Sequence, residues 1–263
     1  MHKTITSIFI TIILLTISGK VCAKDIQPDV TSYHVTIDPN IDERSISGSV
    51  MINFLLNSSM DSVIFNSGNL EIDTISGDQV KGFKKVNHDL IIYLSKRTCK
   101  KNEIVIDYHG HPKKGLIFDP EHNQKYTLYF TSDWMICNDS PEDKALFYLD
   151  ITVPIDKTCI ASGEFADKVQ QNDKMLYSYQ QNTESPSYTY GFAIGNYNKA
   201  EVKYGDVILI YYSQDYTSDQ LMKVFKETPA MISFYEEKSG VKYFQTTYSQ
   251  ILTGKHYQEM SGY

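Results

Sequence analysis

The chain has 263 residues, 41% of them hydrophobic, 13% aromatic and 22% charged, with a formal net charge of −7. That is enough apolar material for one large domain or two modest ones, and nothing in it points to disorder, a collagen repeat or a coiled coil. The acidic balance argues against nucleic acid or an anionic membrane surface as partners.

The N-terminus reads as a targeting segment. Lys3 gives a short basic start, residues 5–17 (ITSIFITIILLTI) form an apolar run, and SGKVCAKD offers a small-residue exit with cleavage after Ala23. Residues 1–23 are therefore read as a signal peptide, and the mature chain as exported, periplasmic or secreted. The alternative, an uncleaved anchor helix, is disfavoured because the run is short for a membrane span. Val21 ahead of Cys22 does not suit a lipoprotein. Removal of Lys3 and Lys20 takes the net charge to −9. It also leaves Cys99, Cys137 and Cys159. An odd number permits at most one bridge, and there is no C-x-x-C pair, so three buried unpaired thiols are expected and a cysteine zinc site is not.

From Thr31 onward the pattern is strands and turns. Tyr33, Val35 and Ile37 alternate before Pro39. Ile46, Val50, Ile52, Phe54 and Leu56 alternate across a break at Gly48. DSVIFNSGNLEIDTISG, DLIIYLS and NEIVIDYHG continue the theme, as do residues 174–213. Twenty Tyr, with many Val, Ile and Thr, favour β structure. Short period-two runs bounded by Gly, Asn, Asp or Pro predict a mainly β, antiparallel sandwich over about 28–212. The spacing then becomes helical. Ser218 is the expected N-cap, with Leu221, Met222 and Phe225 on one face. Thr228–Pro229 restarts a helix, Met231, Phe234 and Tyr235 share a face, and Gly240 stops it. FQTTYSQILTG reads as a strand. Residues 213–263 thus open a second, mixed α/β domain, too short to bury a core alone.

Few residues suggest chemistry of their own. None of the seven His lies in H-E-x-x-H. His109 and His111, two apart, would share a strand face, but at a strand end they read as solvated. Asp133, Asp139, Glu142 and Asp143 cluster in SDWMICNDSPEDKA. Paired carboxylates serve acid/base work, yet Asp139-Ser140-Pro141 reads as turn chemistry, with Asp139 bonding its own backbone ahead of the proline and Lys144 placed to neutralise a neighbour. Ser162 lacks the flanking glycines of a nucleophile elbow. There is no Gly-rich phosphate loop.

Several stretches, in order, resemble the aminopeptidase N family of zinc metallopeptidases, including its leukotriene-hydrolase branch. They are IVIDYHG with KGLIFDP, WMICNDSPEDKALFYLDITVP, CIASGEF, YTYGFAIGNY, TPAMISFYEEKSGVKYFQTTYSQILTG and QEMSGY, spanning about residues 31–263. The resemblance implies a saddle-like N-terminal β domain followed by the start of a thermolysin-like catalytic domain. It also implies a substrate-binding edge, which in the family reads Gly-x-Met-Glu-Asn and falls here on Gln258, Glu259, Met260, Ser261 and Gly262. Ser261 stands where the family's Glu holds the substrate amine, a poor partner for an ammonium. A second family anchor, a Gln or Glu, falls on Thr127. The family's zinc motif comes later than residue 263, so zinc is expected in full-length relatives and no metal or catalytic residue in this chain.

Three readings follow. The first is a truncated N-terminal part of an exported aminopeptidase-like enzyme, inactive alone, whose partners are a peptide substrate or a missing catalytic portion. The second is a non-catalytic β-sandwich module that binds peptide or protein. The third is a sandwich that holds another chain together.

Overall fold

The computed structural model describes residues 27–40, 42–56, 60–95 and 101–253. In chain order the strands are β1 (Asp29–Asn40), β2 (Ser45–Leu55), β3 (Ser62–Asn66), β4 (Glu71–Ser76), β5 (Val80–Val86), β6 (Asp89–Leu94), β7 (Asn102–Gly110), β8 (Leu116–Asp119), β9 (Gln124–Thr127), β10 (Lys144–Pro154), β11 (Thr158–Ala161), β12 (Glu164–Gln171), β13 (Lys174–Pro186), β14 (Phe192–Gly195), β15 (Asn198–Tyr204) and β16 (Val207–Ser213). Two helices, α1 (Ser218–Val224) and α2 (Thr228–Ser239), and a last strand, β17 (Thr247–Ile251), complete the described chain. The fold is mainly β, as the alternation predicts.

Among the described residues the strands form four sheets. The largest runs β12-β13-β10-β1-β2-β7-β4, and the others run β11-β14-β9-β8, β15-β16-β17 and β3-β6-β5. Pairing is antiparallel except between β1 and β10 and between β16 and β17. β1 buries Val30, Tyr33, Val35 and Ile37, the alternation being shifted by a bulge between Val30 and Ser32. β2 runs unbroken through Gly48, contrary to the break expected there. A Cβ at Gly48 would lie 2.6 Å from Thr36 O and 2.7 Å from Ile37 Cγ2, so glycine lets β1 approach. β5 has no counterpart in the expected strands. Its residues are half-buried or exposed, so they carry little period-two contrast.

Two hydrophobic clusters form. The large one joins the sheets from β1 to β14 around Trp134, Phe54, Phe65, Phe147, Tyr190 and Phe192, all fully buried. Each such side chain contributes roughly 1.5–3 kcal/mol through burial. The small one centres on Ala200, Val207, Leu209, Tyr211 and Leu221, with Met222, Phe225, Ile232 and Tyr248 packed against it. The N-cap of α1 is Thr217, one residue before the expected Ser218. Thr217 and Gln220 form a reciprocal capping box, with Thr217 N donating to Gln220 Oε1 at 2.8 Å. α2 has Pro229 in its first turn and ends on Gly240 at φ 71°, as expected.

Candidate functional site

The expected substrate edge, Gln258, Glu259, Met260, Ser261 and Gly262, lies outside the described residues, as does Cys99. The strand leading toward the edge is held in place. β17 pairs in parallel with β16, and Leu252 N extends the ladder by donating to Tyr212 O at 2.9 Å. Leu252 O accepts from Gln124 Nε2 at 3.2 Å. Gln124 is buried, and its Oε1 has no partner among the described residues. Thus the first residue of β9 ties the large β unit to the chain just beyond β17. Nothing in the sequence around Gln124 marks it, because its partner lies 128 positions away. Thr127, at the other end of β9, is buried and mends a strand junction. Its Oγ1 accepts from Phe192 N at 2.9 Å and donates to Phe192 O at 3.4 Å.

The acidic tract is structural, but its turn is built differently from expectation. Ser140 N donates to Asn138 Oδ1 at 3.2 Å, so Asn138 caps the turn. Asp139 Oδ1 instead accepts from Cys137 Sγ and Ser187 Oγ, both at 3.4 Å. Asp133 Oδ2 accepts from Lys114 N at 2.9 Å and Gly115 N at 3.2 Å. Asp143 Oδ1 accepts from Val30 N at 3.0 Å, and burial first, then Asp29, pushes its carboxyl up to about 6. Lys144 forms no ion pair among the described residues; Asp143 is satisfied by backbone. Cys137 and Cys159 are buried free thiols, and burial raises both well above the ordinary thiol range. Ser162 is fully buried, accepts from Gly191 N at 3.0 Å and donates to Thr189 O at 3.3 Å, which leaves no free nucleophile.

His109 and His111 do not converge on a ligand set. His109 Nδ1 lies 2.8 Å from Asp73 Oδ1, which raises its pKa, while His111 is exposed beyond the strand end. Among the described residues one group has the ligand atoms for a shared ion: Asp119, Glu121 and His122. There Asp119 accepts from His122 N at 3.3 Å and pairs with His122 Nδ1 at 2.9 Å, the arrangement of a hairpin turn.

Two concavities stand out among the described residues. One is a groove of about 370 Å³ between α2 and β17, lined by Met231, Ile232, Tyr235, Val241, Phe244 and Tyr248 among others. Of these, Met231, Tyr235, Val241 and Phe244 are 57%, 70%, 65% and 68% exposed, and Phe234, beside Tyr235 in α2, is 54% exposed. The other is a cleft of about 380 Å³ between the β11–β12 corner and one face of β15, β16 and β17.

The Peptidase M1 N-terminal domain family matches residues 29–189. The Probable aminopeptidase 2 of Sulfurisphaera tokodaii is 24% identical over 147 residues, covering 52% of this chain and 19% of that protein. The M1 zinc metallopeptidase of Deinococcus radiodurans superposes with a TM-score of 0.75 at 20% identity, over 86% of this chain and 56% of that structure. A mutant of that enzyme solved with a bound Tyr-Ser-Ala substrate gives the same score and identity, over 57% of its chain. The chain therefore spans about a fifth of that curated relative and somewhat over half of those solved structures. The family match covers more than half of the chain, the fold agrees with it, and the chain belongs to the M1 peptidase family through its N-terminal domain.

Proposed function

We propose that this chain is the N-terminal part of an exported, aminopeptidase-like zinc metallopeptidase whose substrate class is peptide. The observation that carries the reading is the family match over residues 29–189, together with a structural match that covers 86% of the chain. Residues 1–263 supply the β domain and, at Gln258–Gly262, the substrate edge. Zinc is the metal of the matched solved enzymes, and in this family it supplies an activated water. The residues present do not fit such a centre. The sequence holds no H-E-x-x-H, and Asp119 and His122 bond each other within a turn. No hydrolytic step is assigned to them. In this reading the metal, its ligands and the general base come from a catalytic portion outside these residues. That portion packs on the exposed apolar face of α2, and residues 1–263 alone are inactive. No helix among the described residues is long and apolar enough to cross a membrane.

The test is to purify residues 24–263 and measure aminoacyl-p-nitroanilide hydrolysis and zinc content. No chelator-sensitive cleavage and less than stoichiometric zinc are expected. One zinc per chain together with chelator-sensitive cleavage would overturn the assignment.

A further inference from the structure

The cleft between the β11–β12 corner and the last sheet has features that the M1 reading does not use. Three terminal strands border it, since among the described residues β11, β12 and β17 each end a different sheet. The chain passes from β11 to β12 through Gly163 at φ 94°, and residues of both strands line the cleft. A strand at a sheet's end offers main-chain donors and acceptors to whatever lies beside it.

The lining is polar on one side and aromatic on the other. Phe165 is 57% exposed although its ring meets Tyr179 edge-on at 5.7 Å, and Tyr177 and Tyr212 extend this wall. Thr158, Thr247 and Ser249 line the same space. None of the side chains lining the cleft is acidic, in a chain carrying 32 acidic against 25 basic residues. Carboxylates on the neighbouring residues are engaged: Glu201 by Lys199, Glu164 by Thr246 Oγ1 at 2.7 Å, and Asp167 Oδ1 by the backbone N–H of Lys168 at 2.7 Å. Lys168 differs from Lys199. Its Nζ sits 4.8 Å from the centre of the Tyr177 ring and meets no carboxylate among the described residues. A cation over an aromatic face keeps its hydrogen-bond donors for a ligand.

We propose that this cleft binds an organic carboxylate on an apolar or aromatic body. Lys168 takes the carboxylate, the Phe165–Tyr179–Tyr212 wall takes the body, and the hydroxyls of Thr158 and Ser249 take its remaining polar groups. The volume of about 380 Å³ suits a small acid or the last residue of a peptide. Both sources present the same chemistry.

The experiment titrates the purified chain with N-acetyl-phenylalanine and with N-acetyl-phenylalaninamide, followed by ligand-observed saturation-transfer NMR. The acetyl group removes the free amine, so the outcome does not depend on the aminopeptidase reading. The acid should bind about tenfold tighter than the amide, the size of one charge-assisted hydrogen bond. Lys168→Met should abolish that preference, Lys168→Arg should keep it, and Lys174→Met, on the far side of the same sheet region and paired with Asp38, should leave it unchanged. Lys168 is exposed and holds no structural side-chain hydrogen bond, so folding is retained in both Lys168 variants. N-acetyl-alanyl-phenylalanine distinguishes the sources. Tighter binding than the single residue assigns a peptide C-terminus, equal or weaker binding assigns the free acid, and either result supports the proposal. Equal binding of acid and amide, a preference that survives Lys168→Met, or no binding of the acid at millimolar concentration would overturn it.

Discussion

At the scale of single residues, the carboxylates and thiols of the 133–143 tract do structural work, and their titration follows from burial. Asp143 has its carboxyl raised to about 6 by burial, with Asp29 adding to it and the Val30 N–H opposing. Its folded pKa lies above the unfolded value, so the folded state binds the extra proton. The associated stability is fully present below about pH 4 and is lost as pH rises through about 6. Asp143→Asn should therefore gain in melting temperature relative to the wild type as pH is raised from 4 to 7, the gain levelling off above that range. A difference that stays flat across the range would remove Asp143 from this role. Cys137 and Cys159 should resist a thiol reagent in the native protein and react only on unfolding, since burial keeps both protonated. Labelling of either at the rate of a free thiol under native conditions would contradict the burial. The residue scale is also where sequence reasoning was weakest. Asp139 and Asn138 are equally good turn formers on paper, and the choice between them rests on Cys137 and Ser187, which compete for Asp139. The substrate edge at Gln258–Gly262 rests on resemblance alone. Lys168 and its aromatic wall were not legible, because the cleft is assembled from strands up to ninety positions apart and no local spacing records that.

At the scale of elements, local patterning carried most of the fold. β1, β2, β7 and β16 alternate because one face of each is buried, and such alternation is visible in any such strand. β5 and β12 were missed for the converse reason, since β12 is exposed along its whole length. The corner between β11 and β12 depends on Gly163. A Cβ there would lie 2.5 Å from Gln180 C and 2.6 Å from Gln181 N, both backbone atoms, on top of a left-handed φ. Gly163→Ala should cost on the order of 2–3 kcal/mol and lower the melting temperature by several degrees. A neutral substitution would mean that the corner can relax. The helices make a different prediction. α2 buries only Thr228 and leaves Met231, Phe234 and Tyr235 more than half exposed. Amide protons of Met231–Tyr235 should exchange much faster than those of β10. Uniformly slow exchange through α2 would show that its face is already covered.

For the whole molecule, the two clusters differ greatly in size, and small cores are marginal. Trp134 is the sole tryptophan and lies in the large cluster, whereas both helices pack on the small one. Tryptophan fluorescence and helical circular dichroism therefore report on different cores. In urea the helical signal should be lost first, and coincident transitions would show one cooperative unit instead.

The parallel pairing of β1 with β10 carries a kinetic consequence. Ser32 lies beside Leu146 and Ile37 beside Ile151, in the middle of the seven-stranded sheet. More than a hundred residues must be looped out before that ladder can close, an entropic barrier that short-range hairpins do not face. A ribosome-bound chain lacking β10 can assemble β1, β2 and β7 but presents β1 as an unsatisfied flank. Completion of the sheet is therefore slow and late, and the half-built ribbon is the species most exposed to aggregation.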